Sequence, residues 1–349
     1  MSLKKIRLGK TELQVTQLGF GGIPIQRLTE EGAVAVVKRC IDLGVNFLDT
    51  ATGYTTSEER IGKAIAGQRD RVYIATKTPP LNREAIDKNL RLSLARLRVD
   101  YIDLYQLHGV STFPALDHVF APGGPLEVLE NARQKGLIKH IGITSHQIDV
   151  ARKAVESDKF ETIMFPFNFL SPEVVDGLLA TARQHDVGFI AMKPLAGGMV
   201  EDASVCFKYL LQFPDVAMIP GIEKTAEIEE IYRIVQRMPK MTAAARKQMA
   251  RIKDELGSSF CHRCDYCQPC TVQIPISMIM TARSFHKRLP PERFFGDMVA
   301  PAMQKAATCT QCGKCEERCP YHLPIRERIS DQVAWYEEEK KKYLAACRS

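Results

Sequence analysis

The sequence predicts an α/β chain, a (β/α)8 barrel of the TIM type followed by a smaller, mainly α-helical C-terminal unit. Three observations carry this prediction. Short apolar runs alternate with longer amphipathic ones from Leu18 to about Gln236, with no clustering of strands, which favours a barrel over a doubly wound sheet. That stretch has about the length such a barrel needs, ~250 residues. The eleven cysteines are unevenly placed: Cys40 and Cys206 precede residue 260, eight lie from Cys261 to Cys319, and Cys347 sits in the tail.

Composition narrows the class further. The chain has 349 residues, 45% hydrophobic and 26% charged, which excludes wholesale disorder. No apolar run approaches the ~18 residues of a membrane span, and the start Met1–Arg7 lacks the apolar core of a secretory signal. A cytoplasmic protein is expected. The net charge of +7 comes from 48 Lys and Arg against 41 Asp and Glu, scattered without a basic stripe, so nucleic acid is not an expected partner. The run Glu337–Lys342 reads as a solvated helix face. A secreted disulfide scaffold would spread its cysteines through a short chain. A cysteine-poor body with a cysteine-dense tail points instead to metal ligands in a reducing compartment.

The elements follow in order. Leu8–Thr16, turning at Gly9 and Lys10, predicts a hairpin closing the barrel floor. Strands are expected at Gln17–Phe20, Asn46–Leu48, Val72–Ala75, Ile102–Leu107, His140–Ile143, Thr162–Met164, Gly188–Ala191 and Ala217–Ile219. Helices are expected at Thr29–Leu43, Ser57–Ala66, Asn82–Leu97, Gly124–Lys135, Gln147–Ser157, Pro172–Gln184, Ala203–Gln212 and Thr225–Gln236, several opening on a capping residue such as Thr29 or Ser57. Gly109–Pro125 reads as a long loop at the mouth, where substrate pockets are shaped. A basic amphipathic helix, Thr242–Leu256, ends at Gly257. The expected domains are a barrel over 1–240, a linking helix over 241–257 and a cysteine-bearing unit over 258–349.

Chemistry in such barrels sits at the C-terminal strand ends. Asp49 and Tyr54 follow the second strand, Lys77 ends the third and His108 the fourth. Alone, each has an ordinary explanation: a turn aspartate, a surface lysine, a core histidine. Together they converge on one mouth. The segments Gly44–Tyr54, Tyr73–Thr78 and Asp100–His108 resemble the aldo-keto reductase family, and the likeness runs from Leu8 to about Glu230. It implies an oxidoreductase acting on a carbonyl/alcohol pair with NADPH or NADH. Tyr54 would be the general acid/base, and a phenol is a weak acid near neutrality. The Lys77 ammonium favours its phenolate, Asp49 balances Lys77, and His108 donates to the carbonyl oxygen.

The resemblance also implies cofactor contacts at Gly21, Gly22, Thr144, Ser145, Met164, Met192, Pro194, Leu195, Gly197, Gly198, Gly221, Lys224 and Glu227. Several depart from the family pattern. Thr144-Ser145 stands for Ser-Asn, Met164 for a glutamine, and Met192 for the aromatic that stacks on the nicotinamide. Methionine packs on an aromatic ring less specifically, and both methionines also suit a core. Glu227 takes a position that is often arginine, which weakens the expectation of NADPH and keeps NADH open.

Two cysteine quartets fill the tail. Cys309-x2-Cys312-x2-Cys315-x3-Cys319-Pro320 has the bacterial ferredoxin spacing, and Cys261-x2-Cys264-x2-Cys267-x2-Cys270 has its fourth cysteine one residue early, followed by Thr271. The ferredoxin rule, in which the fourth ligand crosses over, would group Cys261, Cys264, Cys267 and Cys319 around one 4Fe-4S cluster and Cys309, Cys312, Cys315 and Cys270 around the other. Zinc competes, although zinc sites usually pair two short arms across a longer gap. The arrangement resembles the aldo-keto reductases with a C-terminal ferredoxin-like domain. Three functions stay open: a reductase whose clusters exchange electrons with a ferredoxin-type carrier, a reductase with a structural or sensing cluster domain, and an electron-transfer subunit using the barrel as scaffold. A flavin would reconcile two-electron with one-electron chemistry, but no motif marks one.

Overall fold

The computed structural model describes residues 2–256 and 260–347. The chain divides into two compact units, Met1–Met249 and Ala250–Ser349.

The first unit opens with an antiparallel hairpin, β1 (Lys5–Arg7) and β2 (Gln14–Thr16), joined through a 3-10 turn at Gly9–Thr11. Ile6, Leu8 and Val15 plug the lower barrel against Phe47, Ala75 and Leu104. Eight parallel strands follow: β3 (Phe20–Gly21), β4 (Phe47–Asp49), β5 (Tyr73–Thr78), β6 (Ile102–Leu107), β7 (Ile138–Thr144), β8 (Thr162–Pro166), β9 (Gly188–Met192) and β10 (Val216–Ile219). They pair in sequence order. Bridges Leu18–Met218 and Gly21–Gly221 join β10 to β3, so the barrel closes. Around it run α1 (Glu30–Asp42), α2 (Ser57–Ala64), α3 (Arg83–Leu97), α4 (Phe113–Phe120), α5 (Pro125–Gln134), α6 (Ile148–Glu156), α7 (Ala180–Gln184), α8 (Ala203–Leu210) and α9 (Thr225–Gln236).

Local chemistry explains the boundaries. Thr29 Oγ1 accepts the Gly32 N–H at 3.2 Å and Asn82 Oδ1 the Ala85 N–H at 3.0 Å, capping α1 and α3. Ser57 does not cap α2. Its hydroxyl donates to Gly22 O and accepts from Thr50, tying the helix start to the barrel. The first strand is shorter and later than its sequence pattern, because Gln17–Gly19 pairs only through isolated bridges at the seam. The helix expected at Pro172–Gln184 contains a π turn, Val175–Leu179, before α7. The stretch expected as a loop at Gly109–Pro125 contains α4, started by Thr112 Oγ1 accepting the Ala115 N–H and held by buried Leu116 and Val119.

The second unit is helical. After α10 (Ala243–Leu256), which crosses the division between the units, come α11 (Ile276–Met280), α12 (Ala282–His286), α13 (Pro291–Arg293), α14 (Ala300–Ala306), α15 (Lys314–Glu317) and the long α16 (Ile325–Ala346). The expected stop of α10 at Gly257 lies outside the described residues. Ile274, Ile279, Phe294, Phe295 and Tyr336 form its core, together with Cys267 and Cys319. Among the described residues no helix is long and apolar enough to cross a membrane.

Candidate active site

Strand parity builds the site. Phe47, Ala75 and Leu104 point into the barrel core, and a step of two residues sends Asp49, Lys77 and Gln106 inward one layer higher. Lys77 and Gln106 are register partners across β5 and β6. Lys77 Nζ donates to both Asp49 oxygens, at 2.8 and 2.7 Å, and to the Thr50 carbonyl. Both side chains are buried, Lys77 at 1% and Asp49 at 3% exposure. Burial pushes the Asp49 carboxyl above its usual range, and the Lys77 charge opposes that push. Lys77 Nζ lies 5.2 Å from the Tyr54 ring centroid. The Tyr54 and His108 rings meet edge to face at 5.8 Å and 82°. Burial, then the Lys77 charge, drives the His108 pKa down to about 3, so its imidazole is neutral near pH 7. The expected quartet thus forms one cluster: a buried ion pair, a phenol beside the cation, and a neutral imidazole against the phenol.

Several supporting residues were not singled out from sequence. Gln106 Nε2 donates to Asp49 Oδ1 at 3.4 Å. Its signal was parity, two residues before His108 on the same face. Thr52 is tied to the Lys77 carbonyl through both its hydroxyl and its N–H. Arg96 Nη1 donates to Thr52 O at 3.4 Å and reaches Glu58 at 3.5 Å. Glu58, 1% exposed, also accepts from Thr76 and Ser93 at 2.7 Å each. These contacts pin the segment that carries Tyr54.

The expected cofactor positions fall on several elements. A Cβ on Gly22 would lie 2.8 Å from Ser57 Oγ and 2.9 Å from Asp49 O, and one on Gly21 2.8 Å from Pro220 O, so glycine lets these backbones approach. Gly221 pairs with Gly21 at the seam. Thr144 Oγ1 accepts the Gly109 N–H at 2.8 Å, and Ser145 Oγ accepts the Gln147 N–H at 3.1 Å. Met164 is buried in the barrel core, whereas Met192 packs against that core while staying half-buried. The turn after β9 has left-handed backbone at Lys193, Ala196, Gly197 and Gly198, carrying buried Pro194 and half-buried Leu195. Lys193 Nζ donates to His146 Nε2 at 2.9 Å, linking this turn to the end of β7. Glu227 Oε2 accepts the Glu223 and Lys224 N–H groups at 2.8 and 3.1 Å, so this acid caps α9.

A profile of the "Aldo/keto reductase family" matches residues 17–205, more than half of the chain. This chain belongs to the aldo/keto reductase family, a family of oxidoreductases. An oxidoreductase of Bacillus subtilis (strain 168), YqkF, is 29% identical over 215 residues, 57% of this chain and 67% of its own. The L-galactose dehydrogenase of Arabidopsis thaliana is 30% identical over 214 residues, 56% and 66%. The chain spans about two thirds or less of the length of the curated relatives it matches. Among solved structures, an aldo-keto reductase from Bacillus halodurans superposes with a TM-score of 0.63 at 24% identity, covering 72% of this chain and 96% of that one. One from Klebsiella pneumoniae, in complex with NADPH, gives 0.61 at 23%, covering 72% and 95%. At these identities the superpositions speak to fold.

The cysteine-bearing part of this aldo/keto reductase lies beyond the matched residues. Among the described residues no three His, Cys, Asp or Glu side chains converge tightly enough to hold a metal ion. The eight cysteines nevertheless fall into two neighbourhoods. Cys270, Cys309, Cys312 and Cys315 line one cavity with Thr271, Gly313, Lys314 and Arg326. Cys264 is within electrostatic reach of Cys319, and Cys267 of Cys261 and Cys264. The two runs share a backbone. The residues before and after the second cysteine are left-handed in both (Arg263 and Asp265; Gln311 and Gly313), as is the third residue after the fourth (Gln273; His322). Such turns aim successive N–H groups inward. The N–H of Arg263 reaches Cys261, that of Tyr266 reaches Cys264, and that of Lys314 reaches Cys312. Burial pushes the Cys40 and Cys206 thiols up to about 12, and Cys347 is exposed.

Proposed function

We propose that this protein is an NAD(P)H-linked oxidoreductase of a carbonyl/alcohol pair whose C-terminal unit holds two 4Fe-4S clusters and exchanges single electrons with a carrier. The observation that carries the carbonyl chemistry is the Tyr54–Lys77–Asp49–His108 cluster. A nicotinamide cofactor, when bound, supplies the hydride. Tyr54 then passes its proton to the carbonyl oxygen, and the Lys77 ammonium stabilises the phenolate left behind. Asp49 keeps the ammonium in place through two hydrogen bonds. Neutral His108 has one N–H to give, and it orients the oxygen without supplying a competing acid.

The Klebsiella pneumoniae aldo-keto reductase of similar fold is in complex with NADPH, which supports a nicotinamide cofactor for this barrel. Glu227 bears on which one: a capping carboxylate near the expected 2′-phosphate repels it, which favours NADH. The cysteines suit clusters in donor type, in grouping and in their inward N–H groups, which stabilise anionic sulfur. Cys261, Cys264, Cys267 and Cys319 would hold one cluster, and Cys270, Cys309, Cys312 and Cys315 the other. Two one-electron sites would together take the two electrons of one reduced nicotinamide, with one proton released to solvent, a route separate from hydride transfer to the carbonyl.

Two measurements on anaerobically purified protein test this reading. Tyr54→Phe should lower carbonyl reduction across a panel of aldehydes and ketones by about 10²–10⁴-fold while cofactor binding persists. An unchanged rate removes Tyr54 from the chemistry. Adding NADH or NADPH should bleach the visible iron–sulfur band. A band that dithionite bleaches and both nucleotides, with substrate present, leave intact would separate the clusters from turnover.

A further inference from the structure

We infer that the Cys312 face of the C-terminal unit is the port through which electrons enter or leave, that the Thr271 hydroxyl sets the potential of the group held there, and that the partner is an acidic one-electron carrier protein. This rests on the two-cluster reading above.

The two cysteine groups are not equivalent. In the Cys261 group, Cys267 and Cys319 are buried inside the hydrophobic core of the unit. In the other, Cys312 is exposed, and so are its neighbours Thr271, Thr310, Gln311 and Lys314. An electron passing to another protein favours the site whose ligand reaches solvent.

The exposed site also gathers several donors at one sulfur. The Thr271 hydroxyl lies 3.6 Å from Cys312 Sγ, and Thr310 and the Lys314 N–H also donate to that sulfur. Thr271 belongs to the first run and stands where the second run has Pro320, so it reaches across to the other quartet. Donors to a cluster sulfur stabilise its more negative, reduced state, and solvent exposure acts in the same sense. The exposed site is therefore the higher-potential one, and electrons arriving at the buried site run downhill to it.

Charge names the partner's chemistry. Exposed Lys305, Lys314 and Arg318 surround the site; Lys305 Nζ donates to Gln273 at 3.0 Å and Arg318 to Pro269 O at 2.9 Å. Arg326 also lines the cavity, paired with Glu316 at 2.8 Å, and Glu317 and Glu327 are exposed charges of the opposite sign in the same stretch. The balance is cationic, which steers an acidic partner. In each exchange the group at the Cys312 site loses one electron and the carrier gains one, or the reverse, with no bond made or broken.

The test uses the full chain. In a redox titration followed by EPR, Thr271→Val should lower one of two midpoints, changing the reduced fraction at fixed potential by about tenfold, the scale of one hydrogen bond to a charged group. The other midpoint should hold, and Thr271→Ser should restore the first. If neither midpoint moves, or both move together, the inference fails. Calorimetric binding of an acidic [2Fe–2S] ferredoxin should weaken at least tenfold in Lys305→Glu/Arg318→Glu, which leaves every donor to Cys312 in place, and in high salt for the native chain. Undiminished binding in the variant places the port elsewhere. A chain that takes up no iron and sulfide on anaerobic reconstitution overturns the two-cluster reading first and this inference with it, and iron content distinguishes that failure from the others.

Discussion

Lys77 has lost almost all contact with water, and what keeps its charge there is Asp49 on one side and the Thr50 carbonyl on another. Removing one member of a buried pair strands the other charge, at a cost of about 3–5 kcal/mol. Lys77→Met alone should therefore damage both fold and activity. The double change Asp49→Asn/Lys77→Met should recover much of the stability in a denaturant titration and none of the carbonyl turnover. Recovered turnover would mean that the cation plays no part in moving the Tyr54 proton. The four residues of this cluster were legible because each stands at or shortly after the end of a strand and each has a side chain with one obvious task. Gln106 and Glu58 were not, because a buried amide or carboxylate announces itself only through partners distant in sequence, here Asp49 for Gln106, and Thr76, Ser93 and Arg96 for Glu58.

Helix edges follow local rules where a single side chain decides them. Asn82 caps α3 through one hydrogen bond, and α3 packs beside α2 and carries Arg96, which reaches the Tyr54 segment. Asn82→Ala should cost about 1 kcal/mol, a shift of roughly 2–4 °C in the barrel's melting temperature. Asn82→Asp should hold the native value, and an alanine variant that melts with the native chain would show the cap to be idle. The same grammar was present for α4. Thr112 caps it, Pro114 sits in its first turn, and Leu116 and Val119 are its buried stripe. Eight residues give two turns, too short for the 3.6 period to stand out, so the segment read as a loop. The first barrel strand was misplaced for the converse reason. Its apolar run is real, but only Phe20–Gly21 forms a regular ladder, because this is the seam where the barrel closes on itself.

The two units draw their stability from different sources. The barrel has a continuous core and long capped helices. In the C-terminal unit α11, α12 and α13 have three to five residues each, far too few to hold a helix in water on their own. Their order comes from a core that includes Cys267 and Cys319 themselves. This is why the barrel elements were legible from periodicity while the tail showed only its cysteine spacing and its general helical character. It also fixes what cluster loss should do. If the cysteines hold clusters, binding free energy is folding free energy for this unit. Stripping iron with a chelator under reducing conditions should abolish amide protection against hydrogen exchange over residues 261–346 and leave protection in β4 to β9 unchanged. Full protection of α11, α14 and α16 after iron removal would mean that the apolar core suffices and the cysteines are structurally dispensable. Loss of protection in the barrel strands as well would mean that the two units do not fold independently.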